Sequence, residues 1–327
     1  MVYFSKKYID IESLLAGQKE AVAKALNLVE NQSPEYAKEV SSFVEVISQK
    51  ARHERHLIGI SGPPGVGKSS MISRLIEHYR SQKKTVGVLS VDPSSKRSGG
   101  ALLGDRIRIK HDPSDPGVFI RSMAAGQHLG GLAKTTRLDL MVYEAVYDKI
   151  ILETVGVGQS ETEIENVVDT VMVVVQPGSG DLLQFLKAGI MEIPHLLVIN
   201  KADQKALADK TFQDLSSAIL FESGDQKGWK MEVIMASALD NTGFDRIIQV
   251  LENHRDFLEK TGIEHKRKTD LFWWIIGFFK ERYGSYGVDL LGGEERIMRY
   301  LSQKDTKNFF MGLKILENKM KERIVLR

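Results

Sequence analysis

The chain has 327 residues, 42% of them hydrophobic and 27% charged, the values of an ordinary globular protein with room for one large domain with additions or for two. Forty-five Lys and Arg against 43 Asp and Glu leave a net charge of +2, which gives no ground for a nucleic-acid surface, a membrane surface or an acidic tail. The lack of cysteine excludes disulfides and thiolate metal sites and fits a reducing compartment.

Met1 to Glu12 carries charges of both signs, without the apolar run of a signal peptide or the Arg-rich, acid-poor character of a transit peptide. A soluble, cytoplasmic protein without a membrane span is expected. Leu14, Leu15, Val22, Leu26 and Val29 recur at three or four residues, and Val40, Phe43, Val44 and Ile47 do the same. Residues 1–50 therefore read as a helical N-terminal extension, broken at Asn31-Gln32-Ser33-Pro34. His53 and His56, beside Arg52 and Arg55, read as a solvated helical turn rather than a ligand pair.

From about residue 56 the pattern changes to short apolar runs. Leu57–Ile60, Thr85–Val91, Val118–Ile120, Lys149–Glu153, Thr170–Val175, His195–Asn200 and Glu232–Met235 read as buried strands, most of them joined by stretches long enough for a helix. The fold class predicted for residues 51–255 is α/β, a P-loop NTPase domain of the G type with a mostly parallel sheet covered on both faces. Gly62-Pro63-Pro64-Gly65-Val66-Gly67-Lys68-Ser69 matches the phosphate-binding pattern G-x-x-x-x-G-K-[ST] in full. It follows the first strand and precedes a helical run from Met71 to Tyr79, the context in which the motif carries meaning. Its glycines let backbone N–H groups point at a phosphate, Lys68 would reach the β- and γ-phosphates, and Ser69 would offer a hydroxyl to Mg²⁺. Ser70 is counted with these nucleotide-binding residues.

Three acidic residues lie at strand ends or in adjoining loops: Asp92, Asp105 and Glu153. With Ser69 they form the candidate metal set. Mg²⁺ takes only one or two carboxylates directly, so at least one of the three acts through water or orients the attacking water. Glu153 opens Glu-Thr-Val-Gly, whose Gly156 N–H is placed to sense the γ-phosphate. Lys68, Asp105 and Glu153 are the candidate catalytic residues. No glutamine or arginine is assignable as a catalytic finger, so slow intrinsic hydrolysis, with a partner supplying the missing group, is expected.

Asn200-Lys201-Ala202-Asp203 follows the strand before it directly. An Asp carboxylate there accepts from N1–H and the 2-amino group of guanine, two donors that adenine lacks. Asn200 tethers neighbouring loops, and the Lys201 stem lies over the ring. Ser237-Ala238-Leu239 follows the strand Glu232–Met235 and sits where a backbone contact to guanine O6 is expected. After residue 255 the chain is helical and amphipathic again. Phe272, Trp273, Trp274, Phe278 and Phe279 read as the buried face of a helix, core or subunit seam, rather than a ligand pocket. His265-Lys266-Arg267-Lys268 reads as a solvated helix approach.

With these motifs the sequence resembles the MeaB/ArgK family of GTPases. The resemblance is carried by residues 62–69, Val-Asp-Pro-Ser-Ser (91–95), Leu-Gly-Asp-Arg (103–106), His-Leu-Gly-Gly-Leu (128–132), Glu-Thr-Val-Gly-Val-Gly-Gln-Ser-Glu (153–161) and Gly-Ile-Met-Glu-Ile (189–193). It extends across the N-terminal helices and the nucleotide domain and fades after them. It implies a homodimer, joined through a helical arm at 256–327, with GTP and GDP as substrate and product and Mg²⁺ as cofactor. It further implies a GTPase that escorts an adenosylcobalamin-dependent acyl-CoA mutase of the methylmalonyl-CoA mutase type, gating cofactor loading and protecting the enzyme. The loop Gln176 to Lys187 looks like a further switch answering nucleotide and mutase. The chain departs from the family at Lys96-Arg97-Ser98, Ala125-Gly126-Gln127 and Lys187-Ala188. Two other readings stay open: a kinase or regulator of a lysine/arginine/ornithine transport system, and a nucleotide-dependent switch with negligible turnover.

Overall fold

The computed structural model describes residues 9–31, 33–52, 54–92, 108–124, 135–154, 164–178, 193–222 and 228–325. Seven strands form one sheet: β1 (His56–Ser61), β2 (Val86–Asp92), β3 (Val118–Ala124), β4 (Lys149–Glu153), β5 (Thr170–Val175), β6 (Leu196–Ile199) and β7 (Glu232–Met235). Their order is β3-β2-β4-β1-β5-β6-β7, and every pairing is parallel. Each run expected to be a strand is one. The reason is visible in burial: every residue of β1, β4, β5 and β6 is buried, so these strands read as unbroken apolar runs rather than as alternation.

The helices are α1 (Ile11–Leu15), α2 (Lys19–Val29), α3 (Ala37–Ser48), α4 (Lys68–Ser81), α5 (Thr136–Val146), α6 (Lys205–Glu222), α7 (Phe244–Thr261), α8 (Ile263–Leu290), α9 (Glu294–Ser302) and α10 (Phe309–Val325). On one sheet face, Met71, Ile72 and Leu75 of α4 and Ile247 and Leu251 of α7 share a core with Ile58, Ile60, Val88 and Met172. Among the described residues, no helix is long and apolar enough to cross a membrane.

β1 lies between β4 and β5. After β1 the chain passes to β2 on one side; after β4 it crosses to β5 on the other. Such a reversal opens a crevice at the carboxyl ends of the central strands, and the phosphate-binding motif leaves β1 there.

Contacts group the helices along other lines than the segments 1–50, 51–255 and 256–327. One unit comprises Lys6–Glu30 with Ala51–Thr261; the other includes Asn31–Lys50 and Gly262–Arg327. Thus α1 and α2 belong with the sheet, and α3 belongs with α8, α9 and α10. Periodicity marks a buried stripe on each helix without naming what covers it.

Two local readings are corrected. His56 is the first residue of β1 rather than part of a solvated turn: it is fully buried, with Nε2 2.7 Å from Thr170 Oγ1. His53 falls outside the described residues. Trp273 is 42% exposed, whereas Phe272 and Phe279 are buried and Trp274 stacks on Phe309 at 3.8 Å, so the aromatic run only partly faces a core. Residues 265–268 lie within α8, where Lys266 pairs with Asp270 and Arg267 with Glu264.

Candidate functional site

The phosphate loop joins β1 to α4. Gly62 has φ +143°, and a Cβ there would lie 2.1 Å from the Val174 carbonyl oxygen of β5. Gly67 has φ +96°, and its Cβ would lie 2.4 Å from Asn200 Nδ2. Both positions therefore need glycine for conformation and for space. Helix α4 opens at Lys68, which aims its free N–H groups and positive dipole end at the loop. Lys68 Nζ donates to the carbonyl oxygens of Gly62 (2.7 Å) and Pro63 (3.2 Å), so the ammonium group lies along the loop. Ser69 and Ser70 occupy the first turn of α4, and the Ser69 carbonyl accepts from Ser73 Oγ at 3.0 Å.

Beside this loop stands Glu153, the last residue of β4, paired in register with Ile60 of β1. It is 6% exposed. Its Oε2 accepts from Ser90 Oγ at 2.9 Å, and its Oε1 lies 3.5 Å from Ser69 Oγ. A buried carboxylate with two hydroxyls is an all-oxygen set, of the kind that suits a hard cation such as Mg²⁺. Asp92 ends β2, two residues beyond Ser90, but its side chain falls outside what is described, as do Asp105 and Gly156. Of the loop from Gln176 to Lys187, only Gln176, Pro177 and Gly178 are described.

The residues expected to read the base meet the phosphate loop directly. Asn200, 2% exposed, donates through Nδ2 to the Val66 carbonyl at 2.8 Å and accepts through Oδ1 from the Ala238 N–H at 3.1 Å. One side chain thereby ties three loops together. Lys201 adopts φ +62° and donates through Nζ to the Gly65 carbonyl at 2.8 Å and Gln176 Oε1 at 2.6 Å. Asp203 is exposed and accepts through Oδ1 from Ser237 Oγ at 2.9 Å, which fixes the carboxylate. Ser237 and Thr242 exchange two backbone bonds of 3.1 Å, closing the turn that carries Ala238 and Leu239.

The arrangement can hold a triphosphate at the start of α4 and a purine between Lys201 and the turn at 237–242. Three contributors carry no motif: Ser90, Gln176 and Arg74, whose guanidinium reaches the turn. Ser90 had a signal, because residues two apart on a strand share a face and Asp92 was already a candidate. Gln176 opens the loop read as a further switch; Arg74 has no such signal, because only the fold brings its helix to the turn.

The sequence profile of the family described as "Methylmalonyl Co-A mutase-associated GTPase MeaB" matches residues 22–282. A Pyrococcus abyssi protein named as a GTPase is 41% identical over 304 residues, covering 90% of this chain and 91% of its own length. The Caenorhabditis elegans mitochondrial methylmalonic aciduria type A homolog is 33% identical over 284 residues, covering 83% of this chain and 71% of its own length. The crystal structure of a LAO/AO transport system kinase superposes with TM-score 0.69 at 26% identity, over 95% of this chain and 96% of that one.

Proposed function

The chain belongs to the MeaB family of P-loop GTPases, and from that premise we propose that it couples GTP hydrolysis to the escort of an adenosylcobalamin-dependent acyl-CoA mutase, of the methylmalonyl-CoA mutase type. Support for the partner is the family description and the match to the methylmalonic aciduria type A homolog. The observation that carries the nucleotide half is the single network in which Asn200 bonds both Val66 of the phosphate loop and Ala238 of the base turn.

In this reading Lys68 leaves its two loop carbonyls for the β- and γ-phosphates, and loop N–H groups take the remaining phosphate oxygens. Asp203 and the turn at Ser237-Ala238-Leu239 read the base. Ser69 and Glu153, with Asp92 and Asp105 as further candidates, would hold Mg²⁺, which when bound supplies charge neutralisation at the phosphates. Glu153, held at the strand end by Ser90, would orient water near Ser69. Gly156 and the loop from Gln176 respond to the γ-phosphate. The working form is a homodimer joined through the C-terminal helices.

The test is steady-state GTP hydrolysis by the purified chain, alone and with methylmalonyl-CoA mutase from the same source. We expect phosphate release to rise about tenfold or more with the mutase, as when a partner completes a GTPase site. Light scattering on the same samples should read twice the chain mass for the free protein. Unchanged hydrolysis with GTP still bound removes the mutase as partner. Transfer of the γ-phosphate to a protein acceptor instead of water would favour the transport-kinase reading.

A further inference from the structure

We infer that Ser90 is a positioning residue for hydrolysis: by holding one oxygen of Glu153, it turns the carboxyl plane so that the other oxygen faces Ser69. The inference rests on the reading of Ser69 and Glu153 as the pair that holds Mg²⁺ and orients water.

Ser90 lies on β2, in register with Glu153 of β4 on one side and with Ser122 of β3 on the other. A strand paired along both edges has a fixed backbone, and Ser90 is 1% exposed, so its hydroxyl starts from a fixed point. Glu153 is also in register with Ile60 of β1, the strand that feeds the phosphate loop. Its carboxylate bridges two hydroxyls from different layers of the fold. Oε2 accepts from Ser90 Oγ of the sheet at 2.9 Å, and Oε1 lies 3.5 Å from Ser69 Oγ in the first turn of α4. The last torsion of a glutamate is broad, so β4 sets where the side chain begins but not how its carboxyl plane is turned. The bond from Ser90 sets the plane. Ser122 supplies the contrast, being the same residue type in the same row, one strand farther out. Its Oγ is buried and meets no hydrogen-bond partner among the described residues. A serine in this row is therefore not enough; the contact with Glu153 belongs to Ser90.

The experiment measures single-turnover hydrolysis of bound GTP, Mn²⁺ affinity of the GDP complex by electron paramagnetic resonance, and GDP affinity in EDTA. The proteins are wild type, Ser90→Ala, Ser90→Thr, Ser122→Ala, Glu153→Gln and the double variant Ser90→Ala/Glu153→Gln, with a melting curve for each. Glu153→Gln should slow hydrolysis about a hundredfold, the scale of one positioned group in a transition state, and weaken Mn²⁺. Ser90→Ala should do both in the same direction, slowing hydrolysis about tenfold, the worth of one hydrogen bond to a charged group. Its GDP affinity in EDTA should match wild type. Ser90→Thr keeps the hydroxyl and should recover most of the rate, and Ser122→Ala should behave as wild type. In the Glu153→Gln background, Ser90→Ala should cost nothing further, because the two residues act as one unit. Should Ser90→Ala melt too early to assay, Ser90→Cys keeps the size with a weaker donor and should slow hydrolysis in its place. An unchanged rate without the Ser90 hydroxyl, the same loss with and without Glu153, or an equal loss in Ser122→Ala overturns the inference. Where Glu153→Gln is impaired and Ser90→Ala is not, the reading of Glu153 stands and the inference alone falls. A Glu153→Gln protein with wild-type hydrolysis and Mn²⁺ affinity removes that reading, and the role of Ser90 with it.

Discussion

On the proposed reading, base choice turns on Asp203. Its Oδ1 is fixed by the Ser237 hydroxyl, and that hydroxyl also accepts from the Asp240 N–H, so the carboxylate is held in one orientation. Replacing it by Asn turns one acceptor into a donor. Guanine then faces its 2-amino group with an N–H, while xanthine, with oxygen at that carbon, finds a partner. Asp203→Asn should lose guanine preference by a factor on the order of 10⁴, the scale on which sites built around a hydrogen bond discriminate, and should gain affinity for xanthosine diphosphate. Competition binding checks both, and an unchanged preference for GDP contradicts the role. This residue and Lys68 are legible in sequence because their chemistry is compressed into contiguous motifs. Arg74 is not, because its partner Ala238 lies 164 positions away and only the fold brings the two together.

At the scale of elements, α5 carries an internal conflict. Asp139 is fully buried, and neither carboxyl oxygen meets a hydrogen-bond partner among the described residues. Burial, followed by the nearby Glu30 carboxylate, raises its pKa well above the usual value, against the weaker opposing pull of Arg121. Arg121 is itself engaged by Asn27 of α2 at 2.9 Å and by Glu30, just past its end, at 2.5 Å. The folded state therefore favours the protonated acid. A group whose folded pKa is raised gives full stability below its unfolded pKa, about 3.9, and loses it as pH rises through the folded value. Asp139→Asn removes the titration. Its melting temperature should exceed that of wild type at pH 8, by an amount corresponding to about 1–3 kcal/mol for a buried unpaired group, and the gap should narrow as the pH falls toward 5. Parallel melting curves for the two proteins across that range would count against a neutral Asp139. The strands of this sheet were legible because burial on both faces leaves apolar runs of strand length. The break between α1 and α2 was not: Gly17, at φ +74°, sits inside a run whose leucine and valine spacing continues across it. His56 departs from the expected solvated turn because its three-residue spacing from His53 is helical while its backbone opens a strand.

For the molecule as a whole, the sequence order of helices conceals how they are shared. Helices α1 and α2 belong to the unit that carries the sheet, and α3 belongs to the unit of α8, α9 and α10. Each unit has its own apolar centre. In the second unit Phe272, Ile275, Phe279, Leu301, Phe309 and Leu316 pack together, with none more than 3% exposed. A unit with its own core is a candidate cooperative unit, and a ligand stabilises only what it binds in the folded form. The phosphate loop and base turn lie wholly in the sheet-bearing unit. Calorimetry of the full chain should resolve two transitions, and GDP at a hundred times its dissociation constant should raise one of them alone. The gain is about 2.7 kcal/mol, or roughly 5–10 °C for a unit of 150–250 residues. Lys68→Ala should abolish that shift and leave the other transition where it was. A single transition that moves as a whole with GDP would mean that the nucleotide is felt throughout the chain, as direct coupling of the G domain to the C-terminal helices requires. Two transitions with one shift would mean that any signal from GTP to those helices depends on what the protein is bound to.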